Sequence, residues 1–236
     1  MTTRVAVLAS GSGSNLQAIL DHFDTLGSAS AAAVVLVASD RVGAGALDRA
    51  RRHGVEAITL DPLTRRDGLA PLLESRGIDL IALAGYLRFV PTDVTRRWRG
   101  RVVNVHPSLL PAFGGSGMYG LHVHQAVISA GVRVTGATVH FVDEEYDHGA
   151  IIAQWPVPVL ATDTGEELAR RVLDVEHALY PAAVHAVAEG RITLGDDGVV
   201  RGLMGPSRSC AAYALSSAPS PSDPRRIRCW QCSMTY

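Results

Sequence analysis

Five short apolar runs punctuate the first 105 residues of this chain, and their lack of polar alternation restricts the fold more than any other feature. "RVAVLAS" (4–10), "AAVVLVAS" (32–39), "EAITL" (56–60), "IDLIALAG" (78–85) and "RVVNV" (101–105) are rich in Val, Ile and Leu. A strand with one solvated face alternates polar and apolar residues, whereas continuous apolar runs belong to strands covered by helices on both faces. "SNLQAILDHF", "GAGALDRARRHG" and "RRDGLAPLLESRG" lie between the runs with helical spacing, and the last two end at Gly. Strand–helix–strand repetition implies right-handed crossovers and an α/β, Rossmann-like, doubly wound and mostly parallel sheet. Later, "VRVTGATVHFV" (132–142) and "IIAQWPVPV" (151–159) flank one loop, which predicts an antiparallel C-terminal extension. "TGEELARRVLDVEHALYPAAVHAVAEG" predicts a long helix. Thr164 and Glu167 fit a capping box, Leu168, Val172, Val175 and Leu179 form an apolar stripe, and Gly190 ends the pattern. Pro181 predicts a kink.

The 236 residues suffice for one substantial core, which the pattern assigns to a domain over residues 1–202. From about Leu203 the composition shifts to Ser, Pro, Ala and Arg, predicting a poorly ordered tail over 203–236. All three cysteines (Cys210, Cys229, Cys232) fall there, so no disulfide framework is expected in the body. The lone CxxC pair, without a partner pair, reads as incidental. A net charge of −1 supplies no broad basic surface for nucleic acid or membrane. The apolar run Val5–Ala9 is too short for a signal-peptide core, which leads us to expect a cytoplasmic protein.

Three clusters carry chemistry-bearing residues. "SGSGSNLQ" is a glycine-rich turn entering a helix, where free backbone N–H groups favour an anion. A dinucleotide fingerprint needs Gly at position 16, but Leu16 stands there, so a single phosphate at Gly13, Ser14 and the Asn15 amide fits better. The plain alternative is a turn capped by Ser14 or Asn15. Asp40, after the second run, occupies the place of a ribose-binding acid, although Asp is also common in turns. In "VVNVHPSLLP", Asn104 and His106 lie two apart on one strand face, and Pro107 stops the strand at its carboxyl end. That end borders the ligand crevice in open α/β sheets, and two converging donors suit an oxyanion. The acidic loop "VDEEYDHG" offers a carboxylate to orient His106, and spacing leaves Asp143, Glu144, Glu145 and Asp147 equivalent.

"GSGSNLQAI", "LAGYLR", "NVHPSLLPAF", "TGATVHFVDEEYDHGAII" and "VEHALYP" occur in that order. With them the chain resembles the phosphoribosylglycinamide formyltransferases over about residues 4 to 195. The resemblance implies the formyltransferase fold and transfer of a formyl group from 10-formyltetrahydrofolate, as co-substrate and without a metal, to the amine of 5-phosphoribosylglycinamide. The reaction belongs to de novo purine (IMP) biosynthesis. The alternative is formyltetrahydrofolate deformylase, a hydrolase with the same trio and an added N-terminal regulatory domain. A nucleotide-binding module without formyl chemistry is the more distant rival. The resemblance makes Asn104, His106 and Asp147 catalytic, with Asp147 keeping His106 cationic. It gives Gly13, Ser14, Asn15, Gly85, Pro107 and Glu176 to the ribonucleotide. Arg66 (or Arg65), Leu87, Arg88, Phe89, Val90, Asn104, Val142, Asp143 and Asp147 fall to the folate. Implied partners are small molecules, not nucleic acid or membrane, with the chain a monomer or homodimer. "LPAFGGSGMYGLHVH" departs from the shorter "LPxxPGxH" of many relatives, and its glycines predict a mobile lid at the cleft rim.

Overall fold

The computed structural model describes residues 2–202, so the tail and its cysteines lie outside the described residues. The elements follow in the order β1 (Thr3–Leu8), α1 (Ser14–Leu26), β2 (Ala32–Ser39), α2 (Gly45–Arg52), β3 (Glu56–Thr59), α3 (Leu69–Ser75) and β4 (Leu80–Leu83). Then come α4 (Thr92–Arg97), β5 (Val102–His106), α5 (Leu121–Ser129), β6 (Val134–Phe141), β7 (Ile151–Pro158) and α6 (Gly165–Ala188). β8 (Thr193–Leu194) and β9 (Val200–Arg201) close the described chain as a small antiparallel pair.

The first seven strands form one sheet in the order β3-β2-β1-β4-β5-β6-β7. β1 to β5 pair in parallel, and β6 and β7 add on antiparallel, as the sequence predicts. Successive residues face opposite sides. Val5, Val7, Leu80, Ala82, Val103 and Val105 therefore pack with α1, α2, α5 and α6, whereas Ala6, Leu8, Ile81, Leu83 and Val102 pack with α3 and α4. The order reverses beside β1, whose neighbours are β2 and β4, and such a switch opens a crevice at the strands' carboxyl ends. The glycine loop after β1, Gly85 after β4 and the tip of β5 all stand there. At the other edge, Pro156 and Pro158 of β7 lack N–H donors, which blunts the exposed strand.

α6 begins with the predicted capping box: Thr164 Oγ1 accepts from the Glu167 N–H, and the Glu167 carboxylate accepts from the Thr164 N–H. It runs from Gly165 to Ala188 with Pro181 inside it. The preceding residue explains the anchorage. Tyr180 is fully buried, and its hydroxyl points at the carbonyls of Leu83 and Val103, 3.0 Å from each. That side chain holds the helix onto β4 and β5. α4 ("TDVTRR") and α5 ("LHVHQAVIS") are not anticipated by the sequence reading. The first is one short polar turn and a half, and the second mixes His and β-branched residues that weaken helical patterning. Among the described residues no helix is long and apolar enough to cross a membrane.

Candidate active site

β5 places Asn104 opposite His140 and His106 opposite Thr138 of β6. Asn104 and His106 therefore leave the same sheet face, and both meet Asp147 from the loop after β6. His106 Nδ1 lies 3.4 Å from Asp147 Oδ2, and Asn104 Nδ2 lies 3.5 Å from Asp147 Oδ1. Asp147 reaches inward from a left-handed backbone at φ 55, a conformation Asp tolerates better than most side chains. Two residues on, a Cβ at Gly149 would overlap the Phe141 carbonyl oxygen, so the loop closes only with glycine there. Asp143 does not join this group. It accepts from the Glu145 N–H at 2.9 Å and lies 3.2 Å from His148 Nδ1, within its own turn.

A second histidine, absent from the sequence reading, completes the cluster. His140 Nδ1 lies 2.7 Å from the Phe141 carbonyl, which can only accept, so Nδ1 carries the proton. Nε2 lies 3.1 Å from Asn104 Nδ2 and 3.7 Å from Asp147 Oδ1. These contacts join His140 to the Asn104–Asp147 pair. The sequence signal was present but faint: a polar residue inside the apolar run "TVHFV", the same kind of oddity that marks Asn104.

The glycine-rich segment after β5 does not stay at the rim. The Phe113 carbonyl accepts a hydrogen bond from His106 Nε2 at 2.8 Å, and the Gly115 N–H donates to Asp147 Oδ2 at 2.9 Å. A Cβ at Gly114 would lie 2.5 Å from Leu110 Cδ2 and 3.2 Å from Asp147 Cβ, so the strap approaches the acid closely because it is glycine. Both His106 nitrogens thus face acceptors, an arrangement only the doubly protonated ring satisfies. Burial nevertheless prevails and holds the imidazole below the ordinary histidine value, against Asp147 and the Phe113 carbonyl, which favour the cation, while His140 adds to the lowering. Asp147 therefore works toward the cation, as expected, with burial opposing it. Burial likewise works to raise Asp147, but His140, His106 and the Gly115 N–H outweigh it and keep the carboxylate ionised. On α5, burial and the nearby His106 push His124 down to about 4.

At the switch point, Gly13 adopts φ 76, and a Cβ there would stand 2.6 Å from Ala46 Cα, so the loop packs directly on α2. Neither Ser14 nor Asn15 caps α1. The Asn15 side-chain amide donates instead to Glu176 Oε2 at 2.7 Å, while its buried Oδ1 has no partner among the described residues. Burial drives the Glu176 carboxyl up to about 7, with the Asn15 bond opposing. Beside this loop opens a cavity of about 540 Å³ lined by Ser10, Gly11, Ser12, Arg41, Gly43 and Gly45. Gly85 accepts from the Ser10 N–H at 3.0 Å and thereby bridges the ends of β1 and β4.

A second cleft, of about 530 Å³, is lined by Pro62, Arg65, Arg66, Arg88, Phe89 and Pro91. Phe89 is half exposed and meets the Tyr146 ring edge-on at 5.2 Å, while Val90 is buried beneath. Leu87 is held by its N–H to Ser10 Oγ at 2.9 Å, and the Val142 N–H donates to the Val102 carbonyl at 2.9 Å. Arg66 pairs with Asp67 at 2.9 Å in the open, and Arg65 is the more enclosed of the two.

A glycine-loop crevice beside an amide–imidazole–carboxylate cluster is the arrangement of an α/β enzyme, with donors of the kind that suit an oxyanion. The formyl transferase family model matches residues 3–184. The chloroplastic phosphoribosylglycinamide formyltransferase of Arabidopsis thaliana is 43% identical over 203 residues, covering 83% of this chain and 69% of that protein. The phosphoribosylglycinamide formyltransferase of Haemophilus influenzae is 37% identical, covering 82% and 91%. Among solved structures, glycinamide ribonucleotide transformylase 1 of Symbiobacterium toebii superposes with TM-score 0.77 at 44% identity, over 86% of this chain and 94% of that one. Much longer relatives also match, and the chain spans only 14% of one of them. The chain belongs to the formyl transferase family, among its phosphoribosylglycinamide formyltransferases.

Proposed function

We propose that the chain transfers the formyl group of 10-formyltetrahydrofolate to the amine of 5-phosphoribosylglycinamide, in de novo purine (IMP) biosynthesis. The observation that carries this reading is the meeting of Asn104, His106 and Asp147 at one point of the crevice. The amine nitrogen attacks the formyl carbon, a C–N bond forms, and the carbonyl electrons move onto oxygen. Asn104 Nδ2 and His106 Nε2 donate to that oxyanion, and Asp147 fixes the ring that donates. The Phe113 carbonyl now occupies the acceptor position at His106 Nε2, so the strap over 113–115 withdraws when the oxyanion takes its place. Exchanging a neutral carbonyl for a full negative charge also favours the imidazolium. The intermediate collapses as the bond to folate N10 breaks. N10 gains a proton from His106 or through water, and the former amine loses one.

The glycine loop at Gly13 and Ser14 offers backbone donors to the substrate phosphate. Asn15 Oδ1 offers an unused acceptor for an N–H group, and Glu176, poised near neutrality, is suited to take the proton an attacking amine must shed. The cleft with Arg65, Arg66, Arg88 and Phe89 suits the aryl and glutamyl parts of the folate. Residues 1–202 make up the catalytic domain on this reading.

The test is incubation with 10-formyltetrahydrofolate in the presence and absence of 5-phosphoribosylglycinamide. Release of tetrahydrofolate only when the amine is present supports the transferase. Equal release without it would establish the deformylase reading instead.

A further inference from the structure

Asp40 follows β2 at the place of a ribose-binding acid, yet its carboxylate turns away from any such role. Its side chain is 0% exposed, and Arg88 Nε donates to Oδ2 at 2.8 Å. Burial disfavours this carboxylate, but hydrogen bonds from Ser10 and Arg88 prevail and keep it ionised. An enclosed carboxylate with a cationic partner is costly to leave unpaired, so the contact constrains both side chains. Arg88 itself is 57% exposed and lines the cleft with Pro62, Arg65, Arg66, Phe89 and Pro91. Among the described residues its guanidinium makes no other hydrogen bond.

The guanidinium is planar, so fixing Nε fixes the plane and the direction of the two terminal nitrogens. An unanchored exposed arginine would sample many rotamers and lose that freedom on binding a ligand. Here the bond to Asp40 already restricts that freedom. We propose that Asp40 is a positioning residue that presets Arg88 as a two-pronged donor for a carboxylate on the glutamyl tail of the formyl-folate. The proposal rests on the folate reading of the cleft given above. Asp40 touches no substrate and acts only through Arg88.

Steady-state kinetics with two donors separate this role from a merely structural one. 10-Formyltetrahydrofolate carries the glutamyl group, and 10-formyltetrahydropteroate lacks it. Asp40→Ala is expected to raise KM for the first donor by roughly tenfold, with kcat within about twofold and KM for the second unchanged. Asp40→Asn keeps an acceptor oxygen and is expected to show a smaller rise, which preserves a readout if the alanine variant folds poorly. In an Arg88→Ala background, Asp40→Ala is expected to add nothing. An unchanged KM in both Asp40 variants, an equal rise for both donors, or additive effects with Arg88→Ala would each overturn the proposal. Failure of the unmodified protein to use either donor would instead overturn the folate reading itself.

Discussion

Glu176 sits 7% exposed on α6 with one hydrogen bond to Asn15, and its carboxyl titrates near 7 rather than 4.5. Between those values the folded chain retains a proton that the unfolded chain has released. Stability therefore falls as pH rises from 4.5 to 7 and levels off above, a loss on the order of 3 kcal/mol. Glu176→Gln removes the titration, so denaturation midpoints followed across this window are expected to decline for the unmodified protein relative to the variant. Parallel curves would show that the acid is ionised throughout. His106→Ala and Asp147→Asn are each expected to lower kcat by at least ~10²-fold with folate binding largely kept, since one oxyanion donor typically contributes ~10²–10³. Turnover close to normal in either variant would remove that residue from the mechanism. Of this cluster, Asn104, His106 and Pro107 stand out in the sequence because a polar pair interrupts an apolar strand. His140 is the same kind of signal, but nothing local says that its Nε2 meets Asn104.

Among the elements, the loop from Asp143 to Gly149 depends on one missing side chain. Gly149 packs against the Phe141 carbonyl so closely that a Cβ overlaps it, and backbone cannot move aside as a flexible side chain can. Gly149→Ala is expected to cost more than the ~1–3 kcal/mol usual for overpacking and to lower kcat, because the loop that displaces also carries Asp147. Thermal denaturation alongside turnover checks both. A variant with unchanged Tm and kcat would mean the loop does not fix the acid. The strap over 113–115 lies against the catalytic cluster. Its glycines predict a mobile lid, and its Phe113 carbonyl and Gly115 N–H are bonded to His106 and Asp147. The close approach that glycine permits at Gly114 was not part of the sequence reading, because the partner approached is fixed by the packing around it. α4 and α5 escaped the sequence reading because short or weakly amphipathic helices owe their stability to tertiary burial more than to propensity.

For the molecule as a body, the described residues close with the β8–β9 pair, whose last residue is Arg201. Ending the chain after residue 202 is expected to leave kcat, KM and Tm within about twofold or a few degrees of the full chain, since no described strand or helix is cut. A large loss of turnover in the shortened protein would make residues 203–236 part of the enzyme. The sheet itself is held across its layers by Tyr180, which binds the carbonyls of neighbouring strands β4 and β5 from α6. The crevice therefore depends on a contact between residues 97 positions apart in sequence, and its walls come from both ends of the described chain.

The series of strands and the helix-covered, mostly parallel sheet were readable without coordinates because hydrophobic period and helix punctuation are local properties, and steric rules leave few topologies for such a series. The same holds for the capping box of α6 and for the position of Asn104 and His106 at a strand end. The bond between Asn15 and Glu176, 161 residues apart, was not readable, nor was the anchoring of Arg88 by Asp40 or the covering of His106 by Phe113. Each joins groups from separate segments whose distance depends on how the whole sheet twists and packs. The opposing pulls on the His106 proton were beyond local reading for the same reason. A nearby acid argues for the cation, but the balance turns on how much water remains around the ring, and only the assembled fold sets that.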